Sequence, residues 1–190
     1  MPAMEGRETM RRWIAPVLVF IAAFASAPAV QAAHSSDTFL LVAEVDNTGT
    51  AANGDHVAVT VDEGSWFDGS PKAVSATGEF THFDADGNVR GAGTWTATSL
   101  ISFDFYGCRF IPSVGVDLGD DNLCGGAVKM AVVLDTPMGQ FPGMLTVFCV
   151  VGPQAPASHR PPEGEGVTLN VPGIVNFNHT GGGENIYVRI

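Results

Sequence analysis

The stretch Ala127-Val128-Lys129-Met130-Ala131-Val132-Val133-Leu134-Asp135 decides the fold class. Val128, Met130, Val132 and Leu134 alternate with Ala127, Lys129, Ala131 and Asp135, and Lys129 marks the solvent side. A helix would scatter the four large apolar residues around its axis, whereas a strand places all four on one face. This is a half-buried strand.

The same period of two recurs on both sides. Phe39, Leu41, Ala43 and Val45 alternate in a first strand, and Val57, Val59 and Val61 in a second. Residues 74–83 and 94–106 predict a pair, because Asp84-Ala85-Asp86-Gly87-Asn88 between them tolerates the positive φ of a hairpin turn. In the later member Trp95, Ala97, Ser99, Ile101, Phe103 and Phe105 share the core face, while Leu100, Asp104 and Tyr106 fall on the wet face. A turn at 136–143, with Pro137, Gly139 and Pro142, leads into Met144 to Val151, apolar on both faces and so predicted to be central. Residues 152–166 hold four prolines and predict a surface loop. Strands resume at Val167 to Val171 and Ile174 to Phe177, a turn follows at Gly181-Gly182-Gly183, and Ile186, Val188 and Ile190 close the chain.

About eight strands with mostly hairpin-sized connections predict an all-β, single antiparallel domain. An up-and-down β-barrel is favoured over a β-sandwich, since consecutive strands are expected to be neighbours and the last can pair with the first, removing both edges. Only 107–126 and 152–166 are long enough for the crossovers of a sandwich.

The amino terminus carries a different signal. Arg11-Arg12, the apolar run Trp13 to Phe24 and the small residues ending Val30-Gln31-Ala32-Ala33 have the three parts of a secretory signal peptide, cleaved after Ala32 or Ala33. Residues 1–32 are assigned to it, with Met10 the cleaner start because Glu5 and Glu8 are unusual in a basic n-region, and the general secretory route is favoured over twin-arginine export. Residues 33–190 then form the secreted all-β domain, localised outside the cell or in a periplasm. No later segment reaches the ~18 apolar residues a membrane helix needs. That domain holds six Lys and Arg against eighteen Asp and Glu, a net charge of −12, which repels nucleic acid and anionic membranes and leaves a small apolar ligand or a protein surface as the expected partner.

Cys108, Cys124 and Cys149 in an oxidising compartment predict one disulfide and one leftover thiol. In a meander all three fall toward one end of the sheet. Cys108 with Cys124 is the favoured pairing, because Cys149 sits among Val147, Phe148, Val150 and Val151 as a buried apolar thiol would.

Candidate chemistry is sparse. Glu79, His82, Asp104 and Tyr106 are the acid-base candidates: His82 and Asp84 share a strand face, and Asp104 and Tyr106 share the polar face of the long strand, within cross-strand reach of Glu79. Asp84, Asp86 and Asn88 match the opening of a calcium loop, but the twelfth position is Trp95 in place of the bidentate Glu and the flanks are strands. Asp117, Asp120, Asp121 and Asn122 form a second acidic loop, and His34, His56, His159 and His179 lack ligand spacing. Asn178-His179-Thr180 is a glycosylation sequon. Trp66, Phe67 and Trp95 are candidates to line an apolar pocket, with Trp95 more naturally core. There is no nucleophile elbow, phosphate-cradling loop or dinucleotide fingerprint. The expected function is therefore that of a secreted, non-catalytic β-barrel holding a small apolar ligand or a surface partner, with no cofactor. The alternatives are a small-barrel isomerase, cyclase or hydrolase acting through the four acid-base residues, and a calcium-assisted adhesion module acting through the Asp84 loop.

Overall fold

The computed structural model describes residues 37–43, 47–112, 114–159 and 164–190, so the assigned signal peptide lies outside the described residues. The strands are β1 (Thr38–Ala43), β2 (Asn47–Thr50), β3 (His56–Val59), β4 (Trp66–Asp68), β5 (Ala73–Ser75), β6 (Thr77–Phe83), β7 (Val89–Cys108) and β8 (Phe110–Ile111). They continue as β9 (Val116–Asp117), β10 (Leu123–Thr136), β11 (Gly139–Cys149), β12 (Gly166–Val171), β13 (Val175–Phe177), β14 (His179–Gly182) and β15 (Asn185–Arg189). One 3-10 turn, Ala157–His159, is the single helical element among the described residues.

The fold is all-β and antiparallel, with about 15 strands where eight were expected. Two causes account for the difference. Several strands have only two to four residues, too short to show an alternation. Elsewhere one apolar run serves two neighbours: residues 73–83 divide at Ala76, where β5 pairs with β4 while β6 pairs with β3 and β7.

Thirteen strands form one sheet that curls as a half-barrel, and β8 and β9 form a separate small hairpin. The sheet is built on the long ladder between β7 and β10. From one half of that ladder the path runs β10-β15-β1-β4-β5, and the first and last strands do pair, Leu41 opposite Tyr187. At its far edge Ala97 of β7 donates its N–H to Ala76 at 2.8 Å. From the other half the path runs through β6, β3, β2 and β14 on one side and β11, β12 and β13 on the other. Neighbours in space are thus often distant in sequence.

The β7–β10 ladder carries three register shifts, each with an extra residue on β7: Tyr106 at the disulfide end and two more in the middle of the strand. Val132 pairs with Ala97 but Ala131 with Ser99, so Thr98 is extra; Met130 pairs with Leu100 but Lys129 with Ser102, so Ile101 is extra. Each extra residue inverts the alternation. Leu100 is consequently buried and Ile101 exposed, the reverse of the expectation, whereas the second inversion restores Phe103 and Phe105 to the core side.

Two further expectations are corrected. The 136–143 turn shrinks to Pro137 and Met138, and Pro142 lies inside β11 opposite Val133. It is tolerated because β12 pairs with β11 only from Met144 onward, so Pro142 sits in an edge stretch. Gly181 and Gly182 belong to a strand, β14, paired with β2. They are needed for close approach, since a Cβ on Gly181 would meet Thr48 Oγ1 at 2.7 Å.

The core has two characters. Beneath the Cys108 end of the ladder it is aromatic: Phe39 stacks on Phe67 with centroids 5.2 Å apart, and Phe103 and Tyr187 meet Phe67 at 4.7 and 5.2 Å. The Tyr187 hydroxyl donates to the Val147 carbonyl at 2.8 Å, so its one polar atom is satisfied. Beneath the other end the core is mainly aliphatic, with Val57, Val59, Val132, Leu134, Leu169 and Val171 around Phe80 and Phe177.

Candidate functional site

Cys108 and Cys124 are directly opposed in the β7–β10 pair and form the disulfide, while Cys149 is buried with a free thiol. Burial pushes the Cys149 thiol far above its ordinary range, so it is not a thiolate nucleophile. The loop enclosed by the disulfide holds the second acidic cluster. There Asp117 accepts from the Gly119 N–H and Asp120 from the Asn122 N–H, while Asp121 pairs with Arg109. These carboxylates act as turn caps and an ion-pair partner.

The four acid-base candidates do not share a site. Glu79 is exposed opposite Thr94, and Asp104 is exposed opposite Ala127, ten residues further along β7 and so about 30 Å away. Tyr106 is buried against Ala127, Ala155 and Phe148, on the outside of the sheet beneath the loop that follows β11. Burial first, and then the Asp104 charge, pushes its phenol up to about 12, which holds the proton in place and moves it away from a general base.

His82 lies elsewhere, at the open end of the aliphatic half. Its Nε2 is 2.9 Å from Asp55 Oδ2, and its ring meets Phe177 edge-on at 5.1 Å. The His82 hydrogen bond is the main reason the Asp55 carboxyl is held below the usual range. The neighbouring β6–β7 hairpin carries Asp84. Its Oδ1 accepts the N–H groups of Asp86 (3.0 Å) and Asn88 (2.8 Å), the Asn88 side-chain amide reaches both oxygens, and Arg90 lies 3.1 Å from Oδ2. The Asn88 hydrogen bonds, backbone first, hold the Asp84 carboxyl low. Donors thus surround both oxygens, and a calcium ion would have to displace a guanidinium and an Asx turn.

Between these two rim pairs the sheet opens into an apolar cleft of about 110 Å³. Its walls come from Val57, Phe80, Leu134, Phe141, Leu169 and Phe177, with His82 and Arg90 at the lip and Met138 and Ile174 over the mouth. A cavity of ~150 Å³ lined by such residues holds benzene, so this smaller cleft takes a short branched chain, or one ring with part of it in the open mouth. A Cβ added at Gly91 in the wall would meet no atom within 4 Å, which marks space left open.

The mouth is covered by two hairpin tips that the antiparallel register brings to one end, Met138 between β10 and β11 and Ile174 between β12 and β13. Met138 and Ile174 are 81% and 61% exposed. Sequence reasoning missed both, although each turn puts a large apolar residue where polar ones are usual. Trp95 and Phe67, expected as pocket candidates, are fully buried, and the Trp95 indole donates to Thr60 O at 2.9 Å. Trp66 is half-buried, and Asn178 of the sequon is exposed between β13 and β14. Among the described residues no group of three or more His, Cys, Asp or Glu is placed to hold a metal ion, and no helix is long and apolar enough to cross a membrane.

These features define an antiparallel β protein with one disulfide and an apolar cleft at the tips of its hairpins. No protein-family model, curated protein or solved structure matches the chain.

Proposed function

We propose that the protein is an exported, non-catalytic β-barrel protein that binds by taking an apolar group of about one ring into the cleft between Leu134 and Phe177. The cleft itself carries this reading. It is apolar, it opens to solvent, and its mouth carries exposed Met138 and Ile174 where a surface with no partner would be polar. The barrel reading is supported by the curl of the sheet and by the passage of the chain from β5, at one end of the strand path, through Ala76 into β6 beside β7, where the Ala97 N–H donates to Ala76. Export is supported by the leader in the sequence and by the disulfide.

Titration of methyl-labelled mature chain with toluene tests the binding. Saturable shifts centred on Leu134, Leu169 and Val171, lost in Gly91→Val, are expected, because the added side chain fills the cleft from a strand position that suits a β-branched residue. Shifts that never saturate, or an unchanged titration in Gly91→Val, would end the reading. Mass spectrometry of the exported product should find its first residue at 33 or 34.

A further inference from the structure

We propose that the crown of hairpin tips docks a basic polypeptide segment that presents one aromatic side chain to the cleft; this rests on the binding reading above and names the class of its partner. The area of the apolar surface argues for a polypeptide. A ring inside the cleft would leave much of Met138 and Ile174 in water, since they stand 81% and 61% exposed over its mouth. A peptide lying across the tips would cover both while one side chain fills the centre, the usual division between a buried anchor and the contacts that exclude water around it.

The charge of the rim argues for a basic segment. Arg90, the cation at the lip, already faces Asp84, His82 is bonded to Asp55, and exposed Asp86 adds a further carboxylate on the same tip. Carboxylates therefore exceed cations around the mouth, on a chain whose net charge is −11. Such a rim attracts Lys- or Arg-flanked anchors and repels acidic ones and anionic lipid.

The test uses the mature chain and fluorescein-labelled peptides read by anisotropy: Lys-Lys-Phe-Lys-Lys, Glu-Glu-Phe-Glu-Glu and Lys-Lys-Gly-Lys-Lys, with toluene shifts measured in parallel. The basic Phe peptide is expected to bind about tenfold or more tighter than the acidic one. This preference should collapse at about 1 M salt, where the screening length is roughly 3 Å. Asp86→Asn should weaken the charge preference, and Met138→Ser with Ile174→Ser should weaken the Phe peptides whatever their charge. Equal binding of basic and acidic Phe peptides, with toluene still saturating, overturns the inference and leaves the cleft reading intact. Equal binding of the Phe and Gly basic peptides overturns it as well, by showing attraction without an anchor. Preference for neutral lipid vesicles over all peptides, or self-association that buries the tips, overturns it in favour of that occupant. Loss of toluene binding removes both claims.

Discussion

The two ends of the β7–β10 ladder use the same pleated backbone for opposite purposes. At the Cys108 end the strands are cross-linked and Phe39, Phe67, Phe103 and Tyr187 interlock ring against ring. At the Val89 end the packing is mainly aliphatic, a glycine leaves space in the wall, and the hairpin tips carry apolar residues out into water. One end is filled and the other is left open. The contrast implies that stability is concentrated beside the disulfide and that recognition is placed where filling stops, so substitutions at the two ends should separate stability from binding.

The largest expected separation is between Phe67→Ala and the paired change Met138→Ser with Ile174→Ser. Phe67 is wholly buried among three rings, and truncating it should lower stability by about 3–5 kcal/mol in denaturant unfolding. The paired tip substitutions should cost within about 0.5 kcal/mol, since those side chains are already in water. Comparable losses at both ends would break the contrast.

Replacing Cys108 and Cys124 together by Ser should lower stability by on the order of 3 kcal/mol, the chain-entropy value for a loop of this size. Toluene binding at the far end should persist under conditions where the variant stays folded. If toluene binding is lost while the fold remains, the two ends are coupled and the division is wrong.

A smaller effect distinguishes carboxylates by where they sit. Asp55 and Asp84, at the open end, have folded-state pKa values below the ordinary 3.8, so their stabilisation is complete above that value and is lost as pH falls through the folded pKa. Glu165, beside Cys149, behaves in the opposite sense. Burial raises its pKa above 4.5 even though its carboxylate accepts the Val150 N–H at 3.0 Å, so the folded state binds the proton more tightly than the unfolded chain. Its contribution therefore falls as pH rises from 4.5 through the raised value and stays low above it. Glu165→Gln should accordingly raise stability at pH 7 by under about 1 kcal/mol and make no gain near pH 4. Asp84→Asn should do the reverse, losing stability at pH 7 and approaching the parent in acid. Thermal melts of both variants at the two pH values read the signs.

Much of this division can be traced in the sequence, and its limits have physical reasons. The alternation at Val128 to Leu134 is strong because one face is core and the other solvent throughout, and the Asp84–Asn88 hairpin was legible because its turn residues have few other uses. The meander placed all three cysteines at one end of the sheet, and the Cys108–Cys124 pairing followed from the apolar neighbours of Cys149, which is indeed the buried free thiol. Bulges at Thr98 and Ile101 left no such mark, because an extra residue changes only the phase of an alternation and Leu100 and Ile101 are equally apolar. The assignment of Gly181 to Gly183 as a turn failed for a related reason. Glycine permits both tight turns and close backbone approach, and only the position of Thr48 decides between them. The cleft was the least legible feature. Its lining is drawn from seven strands that span more than a hundred residues, and its polar lip depends on Asp55 meeting His82 across 27 positions.

Crystals of the mature chain pressurised with xenon test the division between a filled end and an open one most directly, because xenon enters apolar space without needing a polar contact. A single strong site between Leu134 and Phe177, with none among Phe39, Phe67, Phe103 and Tyr187, is the expected result. Xenon among those four rings, or no site in the cleft, would contradict it.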